Sequence, residues 1–255
     1  YAKQAERLAT GLRINKAGDD AAGMAVSERL KNQVRGLNQA ARNAQDGISM
    51  IQTAEGAMGE AHNILARMRE LAIQSSNDTL TSTDRTNLQV EFSALYSEID
   101  RIATATQFNG TAILTGGSTS LSLQIGANNG NTVTLNVTPS SGFQPTRLDA
   151  SFTGAGASIT SQSLASATIT VLDSAVNAVS TARASLGAMQ SRLESAGRSI
   201  AVASENAAAA NSRIADADIA DSMSELVRAQ ILQQAGISVL AQANQAPSLV
   251  LQLLK

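Results

Sequence analysis

The chain has 255 residues, of which 43% are hydrophobic, 2% aromatic and 16% charged, with a formal net charge of -2. Charges of both signs are interspersed and no apolar run reaches the ~18 residues of a membrane span, so neither nucleic-acid binding nor membrane insertion is implied. Cysteine and tryptophan are lacking and His62 is the one histidine, which excludes thiol chemistry and leaves a core to be built from Ala, Leu, Ile, Val and Met.

Residues 1–10 read as the end of a helix. Tyr1 already stands in helical register, so a further N-terminal segment is expected to precede it. Gly11 is the expected C-terminal cap. A polar joint follows, Arg13-Ile-Asn-Lys-Ala-Gly18-Asp19-Asp20, in which Asp19 or Asp20 can accept the orphan amides of the next helix. No histidine or metal ligand stands beside this pair. Acid–base chemistry is not expected of it, and no catalytic, metal or cofactor site is expected elsewhere.

Leu30, Val34, Leu37, Ala41, Ala44, Ile48 and Ile51 are spaced 4, 3, 4, 3, 4, 3, and Ala54, Met58, Ala61, Leu65, Met68 and Ala72 resume the alternation. A seam held over about six heptads predicts one helix over residues 23–74, roughly 75 Å long at ~1.5 Å per residue, and an elongated molecule. Gly36, Gly47, Gly56 and Gly59 interrupt it, each costing about 1 kcal/mol against alanine. Close approach of a neighbouring backbone is the expected compensation. Residues 75–83 break the helix. Leu88, Phe92, Leu95, Ile99 and Ile102 then predict a second helix folded back on the first, opened by a Ser/Thr cap with Asp84 in its first turn. Gln107-Phe-Asn-Gly110 is expected to end it.

From Thr111 to Gln162 the composition shifts to Ser, Thr, Gly and Asn. Leu121, Leu123 and Ile125, then Val133, Leu135 and Val137, alternate with polar residues around the turn signal Asn128-Asn-Gly130-Asn, which predicts a β-hairpin. Pro139 and Pro145 mark its exit, and loop or irregular strand is expected over 143–161. A third long helix begins near Ser163 with the seam Leu172, Val176, Val179, Ala182, Leu186, Met189 and Leu193, continued through alanines to Ile214. The predicted fold is therefore mainly α: an elongated antiparallel bundle of long heptad-patterned helices with a small β-hairpin region at one end.

Residues 218–255 are helical in pattern but apolar on several sides. Such a helix has to be buried on several sides, and this chain supplies only the short helix 1–10 to cover it. Leu226, Ile231, Leu232, Val239, Leu240, Leu249 and Val250 are the residues expected to pack against other copies. Pro247 is expected to kink or interrupt the helix by removing a backbone hydrogen bond. Four regions result: 1–22, the end of a terminal helix plus joint; 23–110 with 163–215, the bundle; 111–162, a short β-rich region; and 216–255, the C-terminal helix.

Specific stretches carry a resemblance. Arg7-Leu-Ala-Thr-Gly-Leu-Arg-Ile-Asn15, Asp19-Asp-Ala-Ala-Gly23, Arg35-Gly-Leu-Asn-Gln-Ala40, Asn43-Ala-Gln-Asp-Gly-Ile48, Gln52-Thr-Ala-Glu-Gly56, Arg69-Glu-Leu71 and Gln107-Phe-Asn-Gly110 resemble bacterial flagellin. So do Arg213-Ile-Ala-Asp-Ala-Asp218, Arg228-Ala-Gln-Ile-Leu-Gln-Gln-Ala-Gly236 and Ser238-Val-Leu-Ala-Gln-Ala-Asn-Gln245. The resemblance implies a subunit that polymerises with itself into the extracellular flagellar filament, exported through the flagellar type III apparatus without a cleavable signal peptide. It implies terminal helices lining an inner tube, the bundle forming the wall, and the middle region facing outward. It also implies an export chaperone and cap or junction proteins as partners. A further implied partner is the innate flagellin-binding Toll-like receptor, at Arg67, Leu71 and Glu91, with Arg67, Glu70, Leu71 and Gln74 sharing one face. Ala66 departs from the glutamine common in receptor-sensed members. Two alternatives share these ends: a hook–filament junction protein, and a flagellin-like surface binding protein. The zinc-protease insertion of some flagellins is excluded, since no His-Glu-x-x-His motif is present.

Overall fold

A computed structural model describes residues 2–116, 120–136 and 158–253, the side chains of 120, 136 and 244–253 excepted. Helix α1 is Ala2–Thr10, α2 Ala21–Ser75, α3 Ser82–Ala105, α4 Gln162–Ala215 and α5 Ile219–Leu253. Strands β1 (Gln107–Phe108) and β2 (Thr111–Ala112) form one antiparallel pair, and β3 (Ser120–Gln124) and β4 (Thr132–Asn136) another. The chain falls into two compact units, residues 1–35 with 202–255, and residues 36–201, whose limits lie inside α2 and α4.

The helix ends follow from particular side chains. Asp20 Oδ1 accepts the Gly23 amide at 2.8 Å and so caps α2. At the other end Arg85 donates from Nε to the Ser75 carbonyl and from Nη2 to the Asn77 carbonyl, both at 2.9 Å, satisfying acceptors that the terminating helix leaves open. Thr81 and Asp84 open α3 with a reciprocal capping box. The Thr81 hydroxyl and amide both donate to the Asp84 carboxylate, which holds its pKa below the usual carboxylate value.

Within residues 36–201 the three long helices share one core. Ile51, Met58, Leu65 and Met68 of α2 meet Phe92 and Ile99 of α3 and Leu172, Val179, Leu186 and Leu193 of α4. Each such side chain stabilises by about 1.5–3 kcal/mol when taken from water. Ion pairs fix the antiparallel register. Arg69 Nε lies 2.6 Å from Asp173 and Arg183 Nη2 lies 3.8 Å from Glu55, so partners on α4 rise as those on α2 fall. Arg67 Nη2 meets Glu91 of α3 at 2.9 Å.

The predicted hairpin forms with Leu121 opposite Leu135 and Leu123 opposite Val133. It lies against α2 over Gly36–Gly47, at the end of this unit opposite the α2–α3 turn. A Cβ on Gly36 would sit 2.9 Å from that of Ala127, and one on Gly47 would collide with the Leu123 side chain. The neighbour that approaches these glycines is thus the hairpin. The approach is of backbone only at Gly36, where Ala127 Cα lies at 3.2 Å, and of side chains at Gly47, while Gly56 and Gly59 have no neighbour within 4 Å, so the expected backbone contact accounts for one of the four glycines. Val137, Pro139, Phe143 and Pro145 lie outside the described residues.

Two features were not anticipated from sequence. Gln107–Phe108 does not simply end α3 but pairs with Thr111–Ala112 across Asn109-Gly110, whose φ angles of 50° and 76° are the positive pair that a two-residue hairpin turn demands. The chain entering α4 is also clipped to the bundle. Ile159 is fully buried, its carbonyl accepts the Ser75 hydroxyl at 2.5 Å, and its amide donates to Gln89 Oε1 at 2.6 Å. Thr168 Oγ1 donates to the preceding carbonyl, Ser158, at 3.0 Å. Ser75→Ala strands a buried carbonyl and is expected to cost about 1–3 kcal/mol in urea unfolding. Unchanged stability would show that the clip holds nothing.

Candidate assembly surface

The unit of residues 1–35 and 202–255 is organised by a clasp between the two connectors. Helix α1 ends at Gly11, whose φ of 71° is the left-handed cap conformation and whose amide reaches the Arg7 carbonyl at 2.8 Å. Beyond it the Arg13 amide donates to Ala215 at 2.7 Å and the Ala217 amide donates to Gly11 at 2.9 Å, across a bridge pairing Leu12 with Asp216. Arg13 Nη2 adds a bond to the Ile214 carbonyl at 2.8 Å. Helices α1 and α5 therefore leave the same clasp.

Asp19, one of the two candidate caps, has a different role. It accepts the amides of Asn15 and Lys16, both at 3.2 Å, and pairs with Lys3 of α1 at 2.7 Å. Lys16 pairs with Glu6 at 2.8 Å. The Lys3 hydrogen bond, then the two backbone amides, lower the Asp19 pKa to about 2. A lowered folded pKa means the contribution is present above the ordinary carboxylate value and lost as pH falls through about 2. An NMR titration of Asp19 is expected to show a midpoint near 2, moved toward the ordinary value by Lys3→Ala. An unmoved midpoint would mean that the pair does not form.

Helix α5 is capped by Asp218, just before its first residue, whose Oδ1 accepts the amides of Ala220 and Asp221 at 2.8 and 3.2 Å. Leucine, alanine and glutamine, good helix formers, then sustain it to Leu253. It runs through Pro247 without the interruption that residue predicts. Helix α1 packs on it, and Gln4 hydrogen-bonds Glu225. Among its described side chains little of the apolar surface is covered. Ile231 is 60% exposed, and Leu232, Val239 and Leu240 are each 65% exposed. At roughly 100° per residue these positions, with the exposed Ile237, spread around the whole helix. Leu226 is half-buried. Leu249 and Val250 are helical, and their side chains lie outside the described residues. Ile237 falls between the spaced positions of the sequence pattern, which is why periodicity passed over it.

The receptor residues divide. Arg67 and Glu91 are half-exposed and paired, and Glu70 also pairs with Arg67 at 2.9 Å. Leu71 is 1% exposed and belongs to the helical core, so it offers no apolar contact on that face, contrary to expectation. It follows Met68 by three residues, a core spacing legible in the seam itself. Among the described residues no group of three His, Asp or Glu could hold a metal ion, and no helix is long and apolar enough to cross a membrane.

Family models described as the bacterial flagellin N-terminal and C-terminal helical regions match residues 1–119 and 169–254. Flagellin of Halalkalibacterium halodurans is 50% identical over 254 residues, covering 99% of this chain and 91% of that one. Flagellin of Bacillus subtilis is 42% identical over 280 residues, covering 99% and 92%. A flagellar filament 30.7 kDa core protein of Treponema maltophilum is 45% identical over 260 residues, covering 98% and 90%. Among solved structures, the crystal structure of Bacillus cereus flagellin aligns with TM-score 0.54 and 32% identity over 62% of this chain and 88% of that one. A hook-associated protein from Vibrio parahaemolyticus aligns with TM-score 0.60 at 15% identity, covering 78% and 100%, which shows a common fold and no more.

Proposed function

The chain belongs to the bacterial flagellin family and is a structural subunit of a flagellar filament, and from that premise we propose that α5 and α1 form its buried inner layer. In this reading residues 1–22 and 216–255 are the inner helices, 23–110 with 163–215 the wall, and 111–162 the outward region. One observation carries it: α5 exposes apolar side chains around its whole circumference, which one short helix cannot cover. Neighbouring copies supply the missing cover, and each added subunit removes that surface from water. The subunit works outside the cell, reached by export without a cleaved signal. During transit a chaperone covers α5, and cap and junction proteins meet the filament ends.

The test is seeded growth. Purified subunits added to short filament seeds are expected to lengthen them in electron micrographs. Subunits that stay monomeric on seeds, or that add only a single terminal ring, would overturn the reading, the second result in favour of a junction protein.

The exposed Arg67–Glu91 pair is the part of the receptor reading that remains, a charged contact without the Leu71 anchor. Arg67→Ala is expected to weaken receptor binding by the monomer about tenfold, the loss of roughly one charge-assisted hydrogen bond. Equal affinity in a binding assay would dismiss the contact.

A further inference from the structure

The six methionines of the chain are not equally placed. Met50, Met58 and Met68 are core residues, the last two wholly buried. Met24 and Met189 are partly buried, and the Met189 sulfur lies 3.9 Å from Arg192 Nη1. Met223 is 47% exposed, on the first turns of α5. Ile219 and Val227, four residues to either side, are 49% and 46% exposed, so the three form one accessible apolar stripe.

We propose that Met223 is an oxidation site that controls whether a free subunit enters the filament, the oxidant being of the peroxide class. The inference rests on the assembly reading above. The thioether sulfur attacks one peroxide oxygen, the O–O bond breaks, and methionine sulfoxide and water result. Sulfur gives up two electrons and the peroxide takes them, with no other reactant. Sulfoxide formation follows access, and among these methionines access is greatest at Met223. The product replaces a soft apolar group with a strongly polar S=O in the middle of the Ile219–Val227 stripe.

In the free subunit that oxygen faces water and the fold is undisturbed. On assembly the same oxygen is carried into the apolar contact made by Ile219 and Val227, and its desolvation opposes addition of the subunit. Once a subunit is in place, its neighbours cover the sulfur. The filament is thus protected from the oxidant that disables its precursor, and a sulfoxide reductase restores the precursor.

The experiment uses the full chain, hydrogen peroxide and filament seeds. Peptide mass mapping of treated monomer is expected to find one added oxygen at Met223 before Met24 and Met189. Treated monomer is expected to need about tenfold more protein to extend seeds, and reductase treatment to reverse this. Met223→Leu should grow normally before and after peroxide, whereas Met223→Gln, polar at the same place, should grow poorly untreated. Filaments treated after assembly should keep Met223 unmodified. Normal growth of monomer oxidised at Met223, or equal loss of growth by treated Met223→Leu, overturns the gating alone. Failure of untreated parent to extend seeds overturns the filament reading and the gating with it.

Discussion

Leu232→Lys is expected to stop filament growth while leaving the subunit's melting temperature where it was. Leu232 is 65% exposed in the single chain, so its replacement removes little that the monomer's fold depends on. In the filament the balance reverses. Burying a leucine side chain contributes about 1.5–3 kcal/mol, and an unpaired ammonium in the same place costs several more. A combined loss of about 4 kcal/mol per subunit raises the protein concentration needed for growth roughly a thousandfold. Sedimentation of seeded mixtures measures the effect, and circular dichroism on heating checks the monomer. Pelleting at the parent concentration would mean that Leu232 faces water in the assembly and that α5 is covered in some other way.

That expectation needed little more than the sequence, because periodicity reports burial and α5 departs from it. Residues 30–72 place apolar groups on one seam, and the structure buries Leu37, Ala44, Ile51, Met58 and Leu65 along it. Residues 219–240 have no single seam, and the structure leaves Ile231, Leu232, Val239 and Leu240 open. Local chemistry was equally legible where partners are close in sequence. Thr81 and Asp84 are three residues apart, and their capping box can be read directly. The Asn109-Gly110 turn carried the same kind of signal, Asn-Gly between short β-capable pairs, and went unread because a helix end was expected there.

Contacts between distant parts of the chain were not legible. Nothing in Ile159 or its neighbours announces that it pairs with Ser75 and Gln89, 84 and 70 residues away. Lys3 and Asp19 belong to separate elements, and only the fold sets their charges together. Glycines show the limit most clearly. Gly36 and Gly47 lie under the hairpin while Gly56 and Gly59 meet nothing, although all four look alike in the helical pattern. Composition gives the cost of a glycine, and only the three-dimensional neighbours say what offsets it.

Phe92→Ala is expected to give the opposite pattern to Leu232→Lys: a large fall in stability with the assembly surface untouched. Phe92 is fully buried on α3, in the core it shares with Met58 and Leu65 of α2 and Leu172 of α4. The remaining core side chains are aliphatic or sulfur-containing apart from partly buried Tyr96 and Phe108, so relaxation of the neighbours refills the gap only in part. A phenylalanine truncated in such a place costs about 3–5 kcal/mol, the transfer of the ring plus the cavity it leaves. Set against a total stability of about 5–15 kcal/mol, that is about a fifth of the whole at the least, and the melting temperature should fall by roughly 10 °C. Well below the new midpoint the variant is folded, α5 keeps its apolar circumference, and seeds should still lengthen. A variant that melts with the parent would place Phe92 outside the core. One that stays folded in the cold yet fails on seeds would mean that the bundle itself takes part in assembly beside α5.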